Sequence, residues 1–460
     1  MTQCNRSPRV DFHPQSPIDI EFSADDISTD GGAVLLRQAE EHLGICDTIS
    51  RMVPDERDPL RTAHSRKQQV LQRVLQLALG YEDQNDADSL RDDPILKASC
   101  GVDPDKGRLS SQPTLSRFEN ACTENDILRM QWKLALDWLH SLDEDRRQIT
   151  IDIDSTPMEG HGEQEELFYC DHFRGYKLHP LMLFDGETGQ LITVVLRPGN
   201  TGDSADIEDW IPCLVMALKH LHRQDCSVVV RADAGFATPR LYDALDRLDR
   251  LWGPVGYLIG FRKNSVVKEQ LEPAMETARR LQKQQNKKAR VFTSFSYQAK
   301  SWKRARTIIG KAEVTEKGDN PRFVVTNFDD IAPRLLYEVG YCGRGRCEQW
   351  IGEFKNGLFG DRISCHEFEA NGFRTILAAL AYRLMFFIQT KLRRLAEDQK
   401  APAETVKRCR QMARATFGQL RLRLLKVAFI VRRSVRRIFL QGARSFPMAD
   451  VFHHVARAMN

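Results

Sequence analysis

The stretch Gln148-Ile-Thr-Ile-Asp-Ile-Asp-Ser155 decides the fold class of this 460-residue chain. Its isoleucines occupy every second position, which is the period-two pattern of a β-strand with one buried face. Asp152 and Asp154 are two residues apart, so both side chains point to the face opposite the isoleucines. A carboxylate on a buried strand is costly unless it is paired or binds a cation. The stretch therefore predicts a core strand that carries two candidate site residues.

The elements that follow this strand indicate an α/β domain built on a mixed sheet. The predicted order is a hairpin, a helix, a strand, a helix and a strand, at 177–184 with 190–197, 204–222, 227–233, 239–248 and 256–262. Asp233 ends the apolar strand of this series that begins at Ser227. The carboxyl ends of strands in open α/β sheets are where ligands bind, which makes Asp233 a third candidate.

Three acids at neighbouring strand ends repel one another unless a cation neutralises them. For each acid alone, an ion pair or a capped turn is the competing interpretation. Ligand sets made only of oxygen select Mg²⁺ or Mn²⁺ over Zn²⁺. The sequence contains no G-x-x-x-x-G-K-[ST] loop and no G-x-S-x-G elbow, so P-loop nucleotide hydrolysis and serine hydrolysis lack support.

Four residues further along have a fixed spacing, Y-x2-R-x3-E-x6-K, at Tyr341, Arg344, Glu348 and Lys355. On a regular α-helix their directions fall within about 60° of one another. One stripe would then carry a carboxylate that can bind a metal ion and two cations that can bind phosphates. The competing interpretation is a solvated face with an ion pair, because Arg344 and Glu348 are four residues apart.

These residues resemble the DDE-type transposases of bacterial insertion sequences, in the branch with the Tyr-(2)-Arg-(3)-Glu-(6)-Lys signature. The resemblance spans about 150–385, roughly half of the chain. Its matching blocks are Ile151–Thr156 with His161–Glu165 and Gly175-Tyr176, then Val230–Phe236 preceded by Pro198–Asp203, and then Tyr341–Lys355 continued by Asn371–Arg374 and Ala381-Tyr382.

The resemblance implies an RNase H-like core and assigns roles to the candidate residues. The catalytic, metal-binding acids would be Asp154, Asp233 and Glu348, with Asp152 as the second choice for the first position, because the family pattern is Asp-x-Thr. They would hold two Mg²⁺ (or Mn²⁺) ions. The residues implied to bind the DNA end are Tyr341, Arg344 and Lys355.

The implied function is that of a DNA transposase. It would bind the terminal inverted repeats of an insertion sequence, cleave the DNA ends and join them to target DNA by two-metal-ion phosphoryl transfer. Its partners would be double-stranded DNA and further copies of the same chain in a synaptic complex. Two alternatives remain open: an inactive or domesticated relative that only binds DNA, and a structure-selective nuclease on the same core.

The predicted organisation has five parts. They are a helical N-terminal DNA-binding domain (1–140), an RNase H-like core in two pieces (145–285 and 336–396), a β-strand insertion (286–335) and a basic helical C-terminal region (397–460). Within the first part, Ser110–Asn120 fits the recognition helix of a helix-turn-helix or an ordinary capped helix equally well. Trp302 in the insertion fits a core residue better than a platform for an unpaired base.

Positive charge is concentrated near the C-terminus. Residues 391–444 contain sixteen Lys or Arg and three acids, a net +13, so the rest of the chain, whose total is +4, carries −9. A cluster at Arg432, Arg433, Arg436 and Arg437 predicts a helix face that binds DNA phosphates without reading sequence. In the competing interpretation these cations meet the acidic N-terminal half of the protein.

The cysteine pattern predicts a cytoplasmic protein, and the resemblance to bacterial transposases implies association with the bacterial nucleoid. Eleven scattered cysteines without a C-x-x-C pair indicate reduced thiols. The stretch Met1–Asp19 lacks the apolar core of a secretory signal. No run approaches the roughly 20 uninterrupted apolar residues of a membrane helix, so no membrane partner is expected.

Overall fold

A mixed β-sheet forms the centre of the computed structural model, which describes residues 8–12, 14–23, 26–221 and 226–460. The described residues do not include residues 1–7 and His13 of the N-terminal stretch Met1–Asp19, or His222 at the end of a predicted helix. Eight strands form the path of the sheet: β1 Gln148–Ser155, β2 Leu181–Asp185, β3 Leu191–Val195, β4 Ser227–Ala232, β5 Val255–Phe261, β6 Ala289–Tyr297, β7 Arg306–Thr315 and β8 Arg322–Thr326.

The strand order is β6-β7-β8-β5-β4-β1-β2-β3, with a short strand Gly318–Asp319 paired to β7. β1, β4 and β5 run parallel, whereas β2 and β3 form the predicted antiparallel hairpin beside β1. The predicted mixed sheet is therefore confirmed. The strands predicted as an insertion also form, but they continue the same sheet through antiparallel pairing of β8 with β5.

Helices cover both faces of the sheet. On one face, the helices Ile207–Leu221, Pro239–Trp252 and Ser265–Gln285 pack against the isoleucines of β1 in one apolar cluster. On the other face lies the 28-residue helix Phe368–Leu395. This helix has the length and composition of a membrane span, yet 78% of its apolar window is buried inside the protein. It is thus the central core helix of this fold.

The N-terminal segment is helical, as predicted, but it has no hydrophobic core of its own. Its helices share one apolar cluster with Phe368–Leu395 and the C-terminal helices. Their bounds are Ala33–Leu43, Ile45–Ser50, Arg66–Leu79, Asp86–Leu90, Pro94–Ser99, Gln112–Glu119 and Glu124–His140, with a 3₁₀ turn at Pro59–Arg61. Ser65 begins the third of these with a capping box to Gln68, and Gly80 ends it with a φ of 92°.

The candidate helix-turn-helix stretch folds as an ordinary capped helix, Gln112–Glu119. Twelve residues separate it from the preceding helix, Pro94–Ser99, whereas the turn of a helix-turn-helix has three or four. Glu119 is fully buried and pairs at 2.7 Å with Arg73, which is also fully buried. This pair fixes the helix in the core.

The prediction of a helical C-terminal tail was wrong in its central part. Helices form at Ala403–Ala413, Phe417–Leu420 and Ala449–Ala458, with a π-helical turn at Arg421–Leu425, but the arginine cluster lies on two strands, Phe429–Arg433 and Ile438–Gly442. The reason is a strand edge at Ile27–Ser28, which pairs with Phe429 and Ile430. Apolar residues at every second position then face the protein, as a strand requires and a helix does not allow.

Smaller sheets complete the fold. Arg9–Val10 pairs with Ile18–Asp19, and a three-stranded sheet beside β1 consists of Met158–Glu159, Phe168–Cys170 and Gly175–Leu178. The segment with the four-residue signature is helical but irregular. It runs through a short α-turn Pro333–Leu335, a π-turn Leu336–Gly340, a 3₁₀ helix Tyr341–Arg346, an α-helix Cys347–Gly352 and a π-turn Glu353–Gly357.

Candidate active site

Asp152 is held in a buried ion pair. It lies directly opposite Arg231 in the β1–β4 register, and its two oxygens accept hydrogen bonds of 2.6 and 2.7 Å from that guanidinium. Arg231 also donates to the carbonyl oxygens of Gly340 and Gly186, at 2.9 and 3.2 Å. Because the carboxylate of Asp152 is fully buried and paired, its position fits a structural role that joins two strands, a loop and the signature segment.

Asp154, two residues later, lies near the carboxyl end of the central strand β1, and its side chain is 13% exposed. Its Oδ2 accepts a hydrogen bond of 2.9 Å from Arg344, and its Oδ1 accepts one of 3.0 Å from the Ser155 amide. Burial, together with the negative charge of Asp233, raises the pKa of Asp154 to about 6. The carboxylate is therefore short of positive charge even with Arg344 beside it.

Asp233 follows β4 and faces the same end of the sheet as Asp154. Its Oδ1 accepts a hydrogen bond of 2.8 Å from the Gly235 amide, which opens a 3₁₀ turn at Ala234–Phe236. A Cβ on Gly235 would lie 2.3 Å from an oxygen of Asp203, so only glycine lets the Asp203 carboxylate come this close to the backbone. The ends of two neighbouring parallel strands thus bring Asp154 and Asp233 together, as the sequence predicted.

Asp203 is a further acid at this edge, to which the sequence assigned no role. Its Oδ1 accepts a hydrogen bond of 2.8 Å from Ser155 and lies 3.4 Å from Nε2 of His179. Nδ1 of His179 is 2.9 Å from the Thr201 carbonyl oxygen, and burial lowers the pKa of this histidine. In the sequence, only the matching block Pro198–Asp203 pointed to this acid. A whole helix and a strand separate it from Asp233.

The signature segment brings two of its four residues to the acids. Tyr341 lies against β5, because a Cβ on Gly260 would be 2.7 Å from its hydroxyl oxygen, and burial raises the pKa of that phenol. Arg344 reaches Asp154. Side chains three residues apart are eclipsed in a 3₁₀ helix, which aligns Tyr341 with Arg344.

Glu348 does not lie beside the aspartates in this structure. Its side chain is 74% exposed, and its nearest charged partner is Arg344, at 4.0 Å. The 3₁₀ helix before it advances about 120° per residue instead of the 100° of an α-helix, which turns Glu348 roughly 80° away from Arg344. The prediction that one stripe carries all four residues fails at this residue.

Lys355 contacts the turn that follows β1. Its Nζ donates hydrogen bonds to the Pro157 carbonyl oxygen at 2.8 Å and to Oγ1 of Thr156 at 3.4 Å, and it lies 4.0 Å from Asp361. Thr156 is the last residue of the Asp-x-Thr pattern. Two distant parts of the signature, Arg344 and Lys355, therefore both hold the end of β1.

The donor chemistry of this edge fits a divalent cation in part. Carboxylate oxygens are the ligands that Mg²⁺ and Mn²⁺ prefer, and Asp154 and Asp233 supply them side by side. Among the described residues, no three Asp, Glu, His or Cys side chains converge closely enough to hold a metal ion. The third carboxylate that the resemblance implies is that of Glu348, and its exposed side chain points outward.

Trp302 is a core residue. Only 6% of it is exposed, and its ring makes edge contacts with Tyr242, Phe261 and Tyr297 at centroid distances of 5.4 to 5.6 Å. The less favoured interpretation, a platform for an unpaired base, does not fit this burial.

The C-terminal cations divide into two groups. Some contact the body of the protein, as the competing interpretation expected: Lys426 pairs with Asp30 at 2.6 Å, and Arg433 pairs with Asp103 and Asp105. Others, at Arg436 and Arg437, are exposed on the turn between the two C-terminal strands. They lie apart from the acids of β1 and β4 in the chain, and no contact within the described part of the chain joins them to that end of the sheet.

Comparison with known proteins shows which family the chain belongs to. The family model described as transposase DDE domain group 1 matches residues 11–460. No curated protein matches the chain. Among solved structures it is similar to a piggyBac transposase synaptic complex with hairpin DNA, with a TM-score of 0.42 and 12% identity over 87% of this chain and 84% of that one. Because the family model spans almost the whole sequence, the chain belongs to the transposase DDE domain group 1 family.

Proposed function

We propose that this transposase binds the terminal inverted repeats of an insertion sequence, cleaves the DNA ends and joins them to target DNA by two-metal-ion phosphoryl transfer. The observation that carries the proposal is the pair Asp154 and Asp233. Two carboxylates meet at the ends of parallel strands β1 and β4, and the pKa of Asp154 is raised to about 6 by burial and by Asp233. Such a pair is suited to a cation.

An RNase H-like core is part of the same proposal, as is membership of the branch with the Tyr-(2)-Arg-(3)-Glu-(6)-Lys signature. The strand order β3-β2-β1-β4-β5 supports it, with antiparallel pairing on one side of β1 and parallel pairing on the other. The first acid lies on the first strand of this sheet and the second follows the fourth. The unbroken signature spacing from Tyr341 to Lys355 supports the branch.

Asp154, Asp233 and Glu348 would hold the metal ions. When bound, the ions activate the attacking hydroxyl and stabilise the leaving oxygen of an in-line displacement. In the structure the guanidinium of Arg344 lies between these carboxylates, 2.9 Å from Asp154 and 4.0 Å from Glu348. We infer that Arg344 leaves Asp154 for a phosphate of the DNA end, and that Glu348 then turns inward.

The remaining residues of the signature position the DNA. Lys355 lies on the turn after β1, where its ammonium can contact a phosphate next to the one that reacts. Tyr341 supplies a phenol beside Asp233 and Gly260. Cleavage and joining then use one site with different nucleophiles, water first and the freed 3′-hydroxyl second. Holding two ends together requires self-association in a synaptic complex.

Two other functions predict different products. An inactive relative would bind the ends without cutting them, and a structure-selective nuclease would cut without joining. The presence of both aspartates at one edge argues against the first. We expect the protein to act in the bacterial cytoplasm, on DNA of the nucleoid.

The test uses a supercoiled plasmid that carries both ends of the element, incubated with the protein with and without Mg²⁺. We expect Mg²⁺-dependent cleavage at the ends and joined products. Binding without cleavage would favour the inactive relative, and cleavage without joining would favour the nuclease. Glu276→Gln, a change to an exposed acid on the helix Ser265–Gln285, is a matched control that should leave both steps unchanged.

A further inference from the structure

We propose that the distal half of the C-terminal strand pair, residues 432–439, is an arm that enters the major groove of duplex DNA. This segment is called the basic ribbon below. The inference rests on the proposed function in one respect, namely that duplex DNA is the partner. It adds a surface that neither the family match nor the acids of β1 and β4 identify.

The base of the strand pair is fixed to the protein. Phe429 and Ile430 pair with the strand Ile27–Ser28, and the Val431 amide donates a hydrogen bond of 2.8 Å to the Asp26 carbonyl oxygen. Beyond Ile430, the strand pairing among the described residues is with the hairpin mate Ile438–Gly442. The basic ribbon therefore extends past the edge of this three-stranded sheet.

One face of the ribbon is turned to the body. Val431, Ile438 and Leu440 share that face and line a cavity of about 370 Å³ with the helices Ala33–Leu43 and Pro94–Ser99. Arg433 lies opposite Ile438 in the register, hence on the same face, and pairs with Asp103 and Asp105. These contacts fix the angle at which the ribbon leaves the protein. The guanidinium of Arg433 is engaged in them.

The tip and the other face point to solvent. The turn is closed by a hydrogen bond of 2.8 Å from the Ser434 amide to the Arg437 carbonyl oxygen. Val435 at the tip is fully exposed. Arg436 and Arg437 are exposed, and their side chains form no ion pair with the acids of the described residues. On the outer face, Phe439 is 49% exposed and lies opposite Arg432 in the register.

This combination matches duplex DNA. Residues 432–439 contain four arginines and no acid, and the two at the turn, Arg436 and Arg437, are the ones offered to a nucleic acid. The planar guanidinium group binds a phosphate through two parallel hydrogen bonds, and it can also bind O6 and N7 of guanine with two hydrogen bonds. An exposed valine suits the methyl group of thymine on the floor of the major groove. A two-stranded ribbon fits that groove, which is about 12 Å wide, without widening it, whereas the minor groove is only about 6 Å wide.

The experiment compares the full-length wild type with Arg436→Glu/Arg437→Glu in binding to a labelled random 30-base-pair duplex, in EDTA so that no cleavage occurs. We expect the variant to bind at least about tenfold more weakly at 0.1 M salt and the salt slope to fall by about 1.8, or about 0.9 for each lost phosphate contact. Lys400→Glu/Lys407→Glu changes exposed charges of the same region equally and should have little effect.

The groove is tested with modified duplexes. Methylation of guanine N7, in the major groove, should weaken binding of the wild type but add nothing to the defect of the double variant. Distamycin occupies the minor groove. If it removed the affinity that Arg436 and Arg437 contribute, the assignment of the basic ribbon to the major groove would be overturned. Arg436→Gln/Arg437→Gln serves as a second variant if charge reversal lowers the melting temperature, and it should still reduce affinity.

Other outcomes separate this inference from the proposed function. Equal DNA affinity of wild type and double variant would overturn the basic ribbon alone. A wild type that binds no duplex would overturn the proposed function as well. A double variant that keeps DNA affinity but loses binding to phosphatidylserine vesicles would replace DNA with an anionic membrane as the ligand of this surface, and would overturn the inference.

Discussion

Arg344 donates a hydrogen bond of 2.9 Å to Asp154, across 190 residues of sequence. The contact joins the first acid of the candidate site to the helix that carries the third. It also explains why Glu348 stays outside, since the guanidinium lies between the two carboxylates. In the proposed mechanism the same guanidinium moves to a phosphate of the DNA end, so one residue both restrains the site and recognises the substrate.

Asp152→Asn and Asp154→Asn should fail in different ways. Asp152→Asn removes one partner of the buried pair with Arg231, and we expect a loss of about 3–5 kcal/mol in the free energy of unfolding. Asp154→Asn should leave the melting temperature at neutral pH equal or higher and abolish cleavage. Chemical denaturation beside a cleavage assay measures both effects. A catalytic defect confined to Asp152→Asn would transfer the metal-binding role to that residue.

The raised pKa of Asp154 predicts a pH-dependent stability. Its carboxyl has a pKa of about 6 in the folded protein against 3.8 ordinarily, so the folded state binds more protons between these values. Stability therefore falls as pH rises from about 4 to about 6, by roughly 3 kcal/mol for this group. Asp154→Asn should match the wild type at pH 4 and exceed it at pH 7. A constant difference across this range would contradict the burial of the carboxylate beside Asp233.

Arg344→Ala and Lys355→Ala should weaken binding of the DNA end while the acids remain. Each lost phosphate contact should lower the salt slope of end binding by about 0.9. Lys355→Ala also removes the hydrogen bonds to Thr156 and Pro157, so its melting temperature should fall as well. Fluorescence anisotropy at several salt concentrations provides the slopes. Unchanged slopes in both variants would limit these cations to their contacts within the protein.

Trp302→Ala tests the assignment of this ring to the core. Removal of a buried tryptophan typically costs about 3–5 kcal/mol, and the ring also lies 5.9 Å from the guanidinium of the buried Arg306. We expect a lower melting temperature and proportionate losses in binding to cleaved and uncleaved ends. A selective loss for cleaved ends, at unchanged stability, would restore the role of a stacking platform.

The central sheet was predictable because its signals are local. Alternating isoleucines in Gln148–Ser155 and the apolar runs after it define strands whatever surrounds them. The ends of β1 and β4 then had to bring Asp154 and Asp233 to one edge. That Asp152 is paired was not predictable, because its partner Arg231 lies on another strand and the register is a tertiary property.

The failures have two physical causes. The stripe of Tyr341, Arg344, Glu348 and Lys355 assumed a regular helix, whereas π and 3₁₀ turns change the angle between residues. The helix predicted through the C-terminal arginines gave way to strands because the edge of Ile27–Ser28 offers backbone partners. That partner is about 400 residues away in the chain, so no local pattern could indicate it.

The cleavage rate of Asp233→Asn is the most direct test of the proposed active site. The substrate is a labelled duplex that carries one end of the element, in Mg²⁺, with Glu276→Gln as the control. We expect the control to cleave as the wild type does. Asp233→Asn should cleave at least about a hundredfold more slowly while it binds the duplex with similar affinity. An Asp233→Asn rate within about twofold of the wild type would contradict the assignment of this edge of the sheet as the active site.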